Sequence, residues 1–373
     1  MYSVREGAVI LKNPYNPSFG WKPERFLGRE MIISDISSSL INKNSPWRST
    51  LIIGVRGSGK TVLLNEINES VKSNDCITIT ILPNVDILND ILSQLYSKMP
   101  KSIIKNLPKP SKLTIAGTVE IGLDVDKPYF LNNFRYQITT MLNELKKKNI
   151  KVMFLVDEAQ KNSDDMRTFI TSYQHLINED FDVFLVMAGL PNVISDILND
   201  DILTFLRRAN QVILDNVDVF EVETDYKQVF LNRFDISPEL LTQAACTTQG
   251  YPYMIQLIGY YLWDYYESES NISDVWEKVV NQAKIKMFQN VHKLLYRDLS
   301  AGDRTFVKAM AIDKNGTRFS DIVTRTGKSK NSISSYRARL IDHGYIKSTG
   351  YGEVSFSLPF TKEYILRETK FNN

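Results

Sequence analysis

The first half of the chain alternates between two hydrophobic rhythms. After an arm rich in Pro, Gly and aromatic residues (1–28), Ile33, Ile36 and Leu40 recur at helical spacing. Residues 50–54 (TLIIG) form a short apolar run ending in glycine, as a buried strand does. A helix follows from Gly59, turning Val62, Leu63 and Ile67 inward, and 76–82 (CITITIL) is β-branched and alternating, a second strand. Residues 84–99 read as a helix. Then Leu113, Ile115, Val119, Ile121, Leu123 and Val125 recur at strand period around Gly117, so an inserted hairpin is expected near 111–126. A helix from Phe130 runs through Phe134, Ile138, Met141 and Leu145 into a Lys-rich end. Apolar runs at 151–156 and 181–187 enclose a helix that uses Met166, Phe169, Tyr173 and Ile177, and 211–214 is a last strand candidate. Strands apolar on both sides and alternating with helices predict an α/β fold with a parallel sheet covered on both faces.

Beyond Val222 the strand signal stops. Ser237-Pro238-Glu239 opens a helix that Gly250 ends, and helices at 253–266 and 274–296 follow. Their Tyr253, Tyr260, Tyr261, Trp263, Tyr265 and Tyr266 lie at helical spacing and are assigned to the core. Ser300-x-x-Asp303 is an approximate capping box opening a helix to Met310. Helices at 319–326 and 329–343 come next, then strands at 345–349 and 353–358 around Gly350-Tyr351-Gly352. Three helices and a glycine-tipped hairpin is the order of a winged helix-turn-helix.

At 373 residues, 43% apolar and 24% charged, the chain has material for two or three packed domains. No run of ~18 apolar residues appears, so no membrane partner is expected. The N-terminal MYSVREGAVILKNPYNP has no long apolar stretch before a small-residue site, and the expectation is a cytoplasmic chain. Cys76 and Cys246 read as small buried hydrophobes, and His175, His292 and His343 assemble no zinc spacing. The net charge of +2 is uneven: residues 291–373 hold 15 Lys/Arg against 8 Asp/Glu, a balance of +7, which leaves −5 for the rest. A basic C-terminal segment points to a polyanion.

The sharpest motif is Gly54-Val55-Arg56-Gly57-Ser58-Gly59-Lys60-Thr61, a full match to G-x-x-x-x-G-K-[S/T], followed by Val62. Glycines let successive amides face one concavity, the helix adds its free N–H groups, Lys60 reaches the β- and γ-phosphates, and Thr61 offers a hydroxyl to Mg2+. The strand–loop–helix context is the one this chemistry needs. A second motif, Phe154-Leu155-Val156-Asp157-Glu158, ends an apolar strand. Asp157 is the expected metal ligand, and Glu158 the residue that activates a water against the γ-phosphate. ATP and Mg2+ are therefore the expected cofactors.

The two motifs together resemble the AAA+ and STAND groups of P-loop ATPases over about two thirds of the chain. The resemblance implies that Gly28-Arg29-Glu30 is the "GRE" element that helps enclose the adenine, and that Gly250-Tyr251-Pro252 opens the lid helix, so Gly28, Arg29 and Pro252 join the nucleotide site. It also puts Arg207 and Arg208 where an arginine finger stands, in cis or from a neighbour; two surface arginines is the plain alternative. Ala188-Gly189 gives no polar sensor 1, for which Asn192 is a substitute, and the lid helix has no sensor-2 arginine, which favours STAND and slow or regulated turnover. With a C-terminal winged helix the whole is similar to origin-recognition-like ATPases.

In the helix at 329–343, Ile333, Tyr336 and Leu340 share a packing face, and the opposite side presents Asn331, Ser335 and Arg339, approached by Lys328 and Lys330, with Lys347 on the wing. These are the candidate DNA contacts. The expected organisation is a P-loop nucleotide domain over 1–221, a helical lid over 222–298 and a winged helix over 299–373. Two functions fit it: an ATPase that couples ATP binding and hydrolysis to double-stranded DNA binding, or a STAND-type signalling switch whose winged helix contacts protein and whose ATP state controls assembly, as a homo-oligomer or with a protein partner.

Overall fold

The computed structural model describes residues 12–18, 23–72, 74–82, 86–105, 107, 133–160, 164–268, 274–314 and 316–371. Packing divides the chain into two units, one centred on 29–215 and the other gathering the arm with 216–341 and 345–373.

The first unit is built on five parallel strands: β1 (Ser49–Ile53), β2 (Cys76–Ile81), β3 (Lys151–Val156), β4 (Val183–Gly189) and β5 (Asn210–Ile213), in the order β2-β3-β4-β1-β5. Side chains alternate across β3. Val152, Phe154 and Val156 join a core with α3 (Ile87–Lys98), α5 (Phe134–Lys146) and α6 (Asp164–Asn178), while Met153 and Leu155 are buried outside that cluster. That is why the strands read as continuous apolar runs: both faces are covered. The helices α1 (Glu30–Ser39) and α2 (Lys60–Val71) pack on each other, and a single turn, α4 (Lys101–Ile104), follows α3. Phe154 meets Phe169 edge-on at 5.1 Å, and the Tyr173 hydroxyl lies 2.8 Å from Ser49 Oγ, fixing α6 against the sheet. A short helix, α7 (Pro191–Leu198), follows β4 directly, its proline in the first turn. The hairpin expected near 111–126 lies outside the described residues.

The second unit holds α8 (Val219–Phe230), α9 (Pro238–Thr248), α10 (Pro252–Ser268) and α11 (Val275–Met287), then a π-helical turn (Phe288–His292) running into α12 (Lys293–Arg297). The sequence expectation counts the arm with the phosphate-loop domain. In the structure the described arm packs in this helical unit, because Tyr15 is buried there. Its ring stacks on Phe230 at 5.8 Å, its hydroxyl donates to Asp225 Oδ2 at 2.7 Å, and it lies so close to Gly259 that a Cβ there would come within 2.4 Å of Tyr15 Cγ. The aromatic residues of α10 also differ from expectation: Trp263 is buried, but Tyr253, Tyr260, Tyr261, Tyr265 and Tyr266 are half-buried. The face turned inward is aliphatic, with Met254, Ile255, Leu257, Ile258 and Leu262.

At the C-terminal end come α13 (Ala301–Met310), β6 (Thr317–Arg318), α14 (Phe319–Thr326), α15 (Lys330–Asp342), β7 (Ile346–Gly350), β8 (Glu353–Phe356) and α16 (Thr361–Phe371). The strands form an antiparallel sheet in the order β6-β8-β7. Ser300 and Asp303 make a reciprocal capping box on α13, as their spacing predicts. Phe306, Ile322, Ile333, Leu340, Val354 and Ile365 share the core here. The helix α16 and the two-residue β6 had no sequence expectation.

Candidate nucleotide-binding site

β1, buried through its middle, leads into the loop at 54–59. Gly54 is required by space: a Cβ would sit 2.3 Å from Ser58 Oγ and 3.2 Å from Leu214 Cβ. Gly57 and Gly59 are required by conformation, with φ of 76° and 91°. Gly59 is also the N-cap of α2 and brings no side-chain acceptor, so the first-turn amides remain available to an anion. Ser58 Oγ is buried with no hydrogen-bond partner among the described residues, a second polar group in the same loop.

Lys60 Nζ donates to Gly54 O at 2.8 Å and Val55 O at 2.9 Å. Burial lowers its pKa to about 8; Asp157 and Glu158 act against that shift and Arg56 with it. The two acids stand where β3 ends. Asp157 is buried, its amide donates to Ile81 O, and its Oδ1 accepts from the Glu158 amide at 2.9 Å. Glu158 is exposed and held at φ 51°, left-handed backbone that a non-glycine residue adopts at some cost. One strand, β4, separates the phosphate loop from this acid pair, because Ile53 is level with Gly189 and Val156 with Met187. Two strand spacings, roughly 9–10 Å, lie between them.

Thr61 is exposed in the first turn of α2. Among the described residues no group of three or more His, Cys, Asp or Glu side chains is placed to hold a metal ion. A hydroxyl and one or two carboxylates instead suit a Mg2+ that arrives with phosphate oxygens already bound. The orphaned Ser58 hydroxyl and the uncapped amides fit the phosphates.

Arg29, the residue before α1, is buried and its Nη2 donates to Asp215 O. Gly28 and Pro252 belong to the helical unit, and the structure links them through a residue the sequence reading missed. Gly28 (φ 69°) packs beside Val217, while Val217 N donates to Gly250 O at 2.8 Å and a Cβ on Gly250 would come within 1.9 Å of Val217 O. Pro252 then opens α10. Nothing local in the sequence marks Val217. Arg207 and Arg208 are exposed on a 3-10 turn (Thr204–Arg208) before β5, and Arg207 Nε donates to Leu198 O at 2.7 Å. The end of β4 is filled by packing: a Cβ on Gly189 would meet Ile194 at 2.8 Å.

Of the candidate DNA contacts, Lys328, Lys330, Asn331, Ser335 and Lys347 are exposed. Arg339 is a correction. Its Nη2 and Nε donate to Asp303 at 2.7–3.1 Å, and Nη2 also reaches Ser300 Oγ at 3.2 Å. Asp303 is buried; desolvation pushes its pKa up, but the bonds from Arg339 and Ser300 outweigh that and hold it below the usual range. Helical spacing puts Arg339 on an outer face, yet a buried carboxylate claims its guanidinium.

Residues 44–198 match the family model described as AAA domain. Residues 289–365 match a second model, described as a domain of unknown function (DUF8462). Among solved structures, a Walker-type ATPase of Pyrococcus abyssi is similar at 17% identity with a TM-score of 0.62, covering 92% of this chain and 97% of that one. The ORC2 protein of Aeropyrum pernix, in ADPNP–ADP complexes, is similar at 12% identity with a TM-score of 0.50, covering 95% of this chain and 98% of that one. At these identities the likeness is one of fold. No curated protein matches.

Proposed function

We propose that this chain is a switch that binds and hydrolyses ATP with Mg2+ in its AAA domain and binds double-stranded DNA through its C-terminal segment, read as a winged helix. The observation that carries the nucleotide half is Lys60, set in an uncapped glycine loop and electrostatically coupled to both Asp157 and Glu158. The likeness to a Walker-type ATPase and to a protein determined with ADPNP and ADP supports it. Lys60 and the loop amides bind the phosphates. Thr61 and Asp157 would hold Mg2+, which supplies charge neutralisation on the phosphates when bound. Glu158 orients a water and takes its proton. Among the described residues Arg208 has no backbone tie like that of Arg207 Nε, which makes it the better finger candidate for charge on the transferring phosphate.

The DNA half rests on the +7 balance over 291–373, the helix–strand–helix–helix–hairpin order, and the exposed lysines Lys328, Lys330 and Lys347. Both cysteines are free, which suits a reducing cytoplasm, and among the described residues no helix is long and apolar enough to cross a membrane. Phosphate release from Mg·ATP tests the enzymatic reading. Glu158→Gln should retain ATP while turnover drops ~100-fold or more. Undiminished turnover in that variant contradicts the assignment.

A further inference from the structure

We infer that the C-terminal segment grips duplex DNA by its phosphates and reads no base sequence, an inference that rests on the duplex-binding reading above. Discrimination in a major groove rests on paired hydrogen bonds, from arginine or lysine to guanine and from asparagine or glutamine to adenine, and of the two cations arginine alone offers a rigid planar fork. The helix α15 carries two arginines, and the structure uses both inside the domain. Arg339 is fastened to the buried carboxylate of Asp303 through Nε and Nη2. Arg337 turns toward the hairpin, where its Nη2 donates to Ser348 Oγ at 3.1 Å, and its Nε is buried.

Before its last residue, Asp342, what α15 leaves exposed is Lys330, Asn331, Ser334, Ser335 and Ala338. Asn331 is the one forked group among them, confined to the first turn. Serine hydroxyls pair with either donors or acceptors, so they accept every base. Lysine is a point charge suited to phosphate and without a planar fork. Lys328 and Lys330 at the start of the helix and Lys347 on β7 supply exposed cations from both elements. The helix α15 therefore has means to hold a backbone, and both of its guanidinium forks are engaged within the domain.

Fluorescence anisotropy of the full chain with Mg·ATP, against labelled 20-bp duplexes, tests this. One duplex is the best binder recovered by selection from a random pool, and the other is its scrambled counterpart. The two affinities are expected to agree within about tenfold, whereas a specific reader discriminates by ~10^3 or more. Each should fall with salt at a log–log slope of about −2.7 for three phosphate contacts, and Lys330→Ala should flatten that slope by about 0.9. A selected site bound more than tenfold tighter than its scramble overturns the inference and leaves duplex binding standing. Absence of salt-dependent binding to either duplex overturns the duplex reading itself, and the inference with it.

Discussion

The Lys60 ammonium reaches back across its own loop to the carbonyl of Gly54, 2.8 Å away. That contact places the cation beside the backbone that a phosphate would approach, and burial there brings its pKa down to about 8. A triphosphate favours the charged form, so binding near pH 8 should take up a proton, and affinity should fall as pH rises beyond that value. Calorimetry in two buffers of different ionisation enthalpy measures the uptake. Lys60→Arg, charged throughout, should show none.

Gly54 and Ser58 share too little space for a further methyl group, since a Cβ would stand 2.3 Å from Ser58 Oγ. Gly54→Ala is expected to weaken ATP binding by about tenfold or more by deforming the loop, a loss of ~1.4 kcal/mol or above. Adding Ser58→Ala should recover part of it. Equal affinity of Gly54→Ala and the parent protein in a nucleotide titration would count against this packing.

His292 is fully buried in the π-helical turn, with Nε2 2.8 Å from Pro359 O and Nδ1 without a partner among the described residues. Burial lowers its pKa to about 4, although the Pro359 bond opposes the shift. Between that value and its ordinary one near 6.5 the unfolded chain binds the extra proton, so acidification favours unfolding across this window. The helical unit should lose about 2–3 kcal/mol from pH 7 to 4 on this account. Urea titrations of the parent and His292→Phe at both pH values check it, with a smaller acid loss expected in the variant.

Tyr15→Ala removes a ring buried between Phe230 and Gly259, and about 3–5 kcal/mol of stability should go with it. Tyr15→Phe keeps the packing and loses only the bond to Asp225, which Arg25 still pairs, so about 1 kcal/mol is expected. Thermal melts of the two variants distinguish packing from hydrogen bonding as the arm's anchor.

The conformation of the loop at 54–59 is legible in the sequence because its requirements are local. Glycines with positive φ, a lysine at the helix start and an apolar strand before them all fall within a dozen residues, and β3 matches the run at 151–156 at both ends. The acid pair was legible for the same reason. What escaped were relationships between distant positions. Tyr15 and Asp225 are 210 residues apart, and Arg339 and Asp303 are 36 apart on different helices. Periodicity says which side of a helix a residue occupies; it does not say whether a buried carboxylate waits there. Val217 escaped because its role is to join Gly28 to Gly250, and none of the three marks the others in sequence. On α10 the aromatics do have helical spacing, but an aliphatic face competes with them and wins the core.

The loop at 54–61 is expected to bind the phosphates of ATP. A thermal-shift titration with Mg·ATP on the parent protein and on Lys60→Ala measures it most directly. Binding at a hundredfold excess over Kd stabilises by ~2.7 kcal/mol, so the parent's melting temperature should rise with nucleotide concentration while the variant's stays in place. A parent protein whose melting temperature does not move contradicts phosphate binding by this loop.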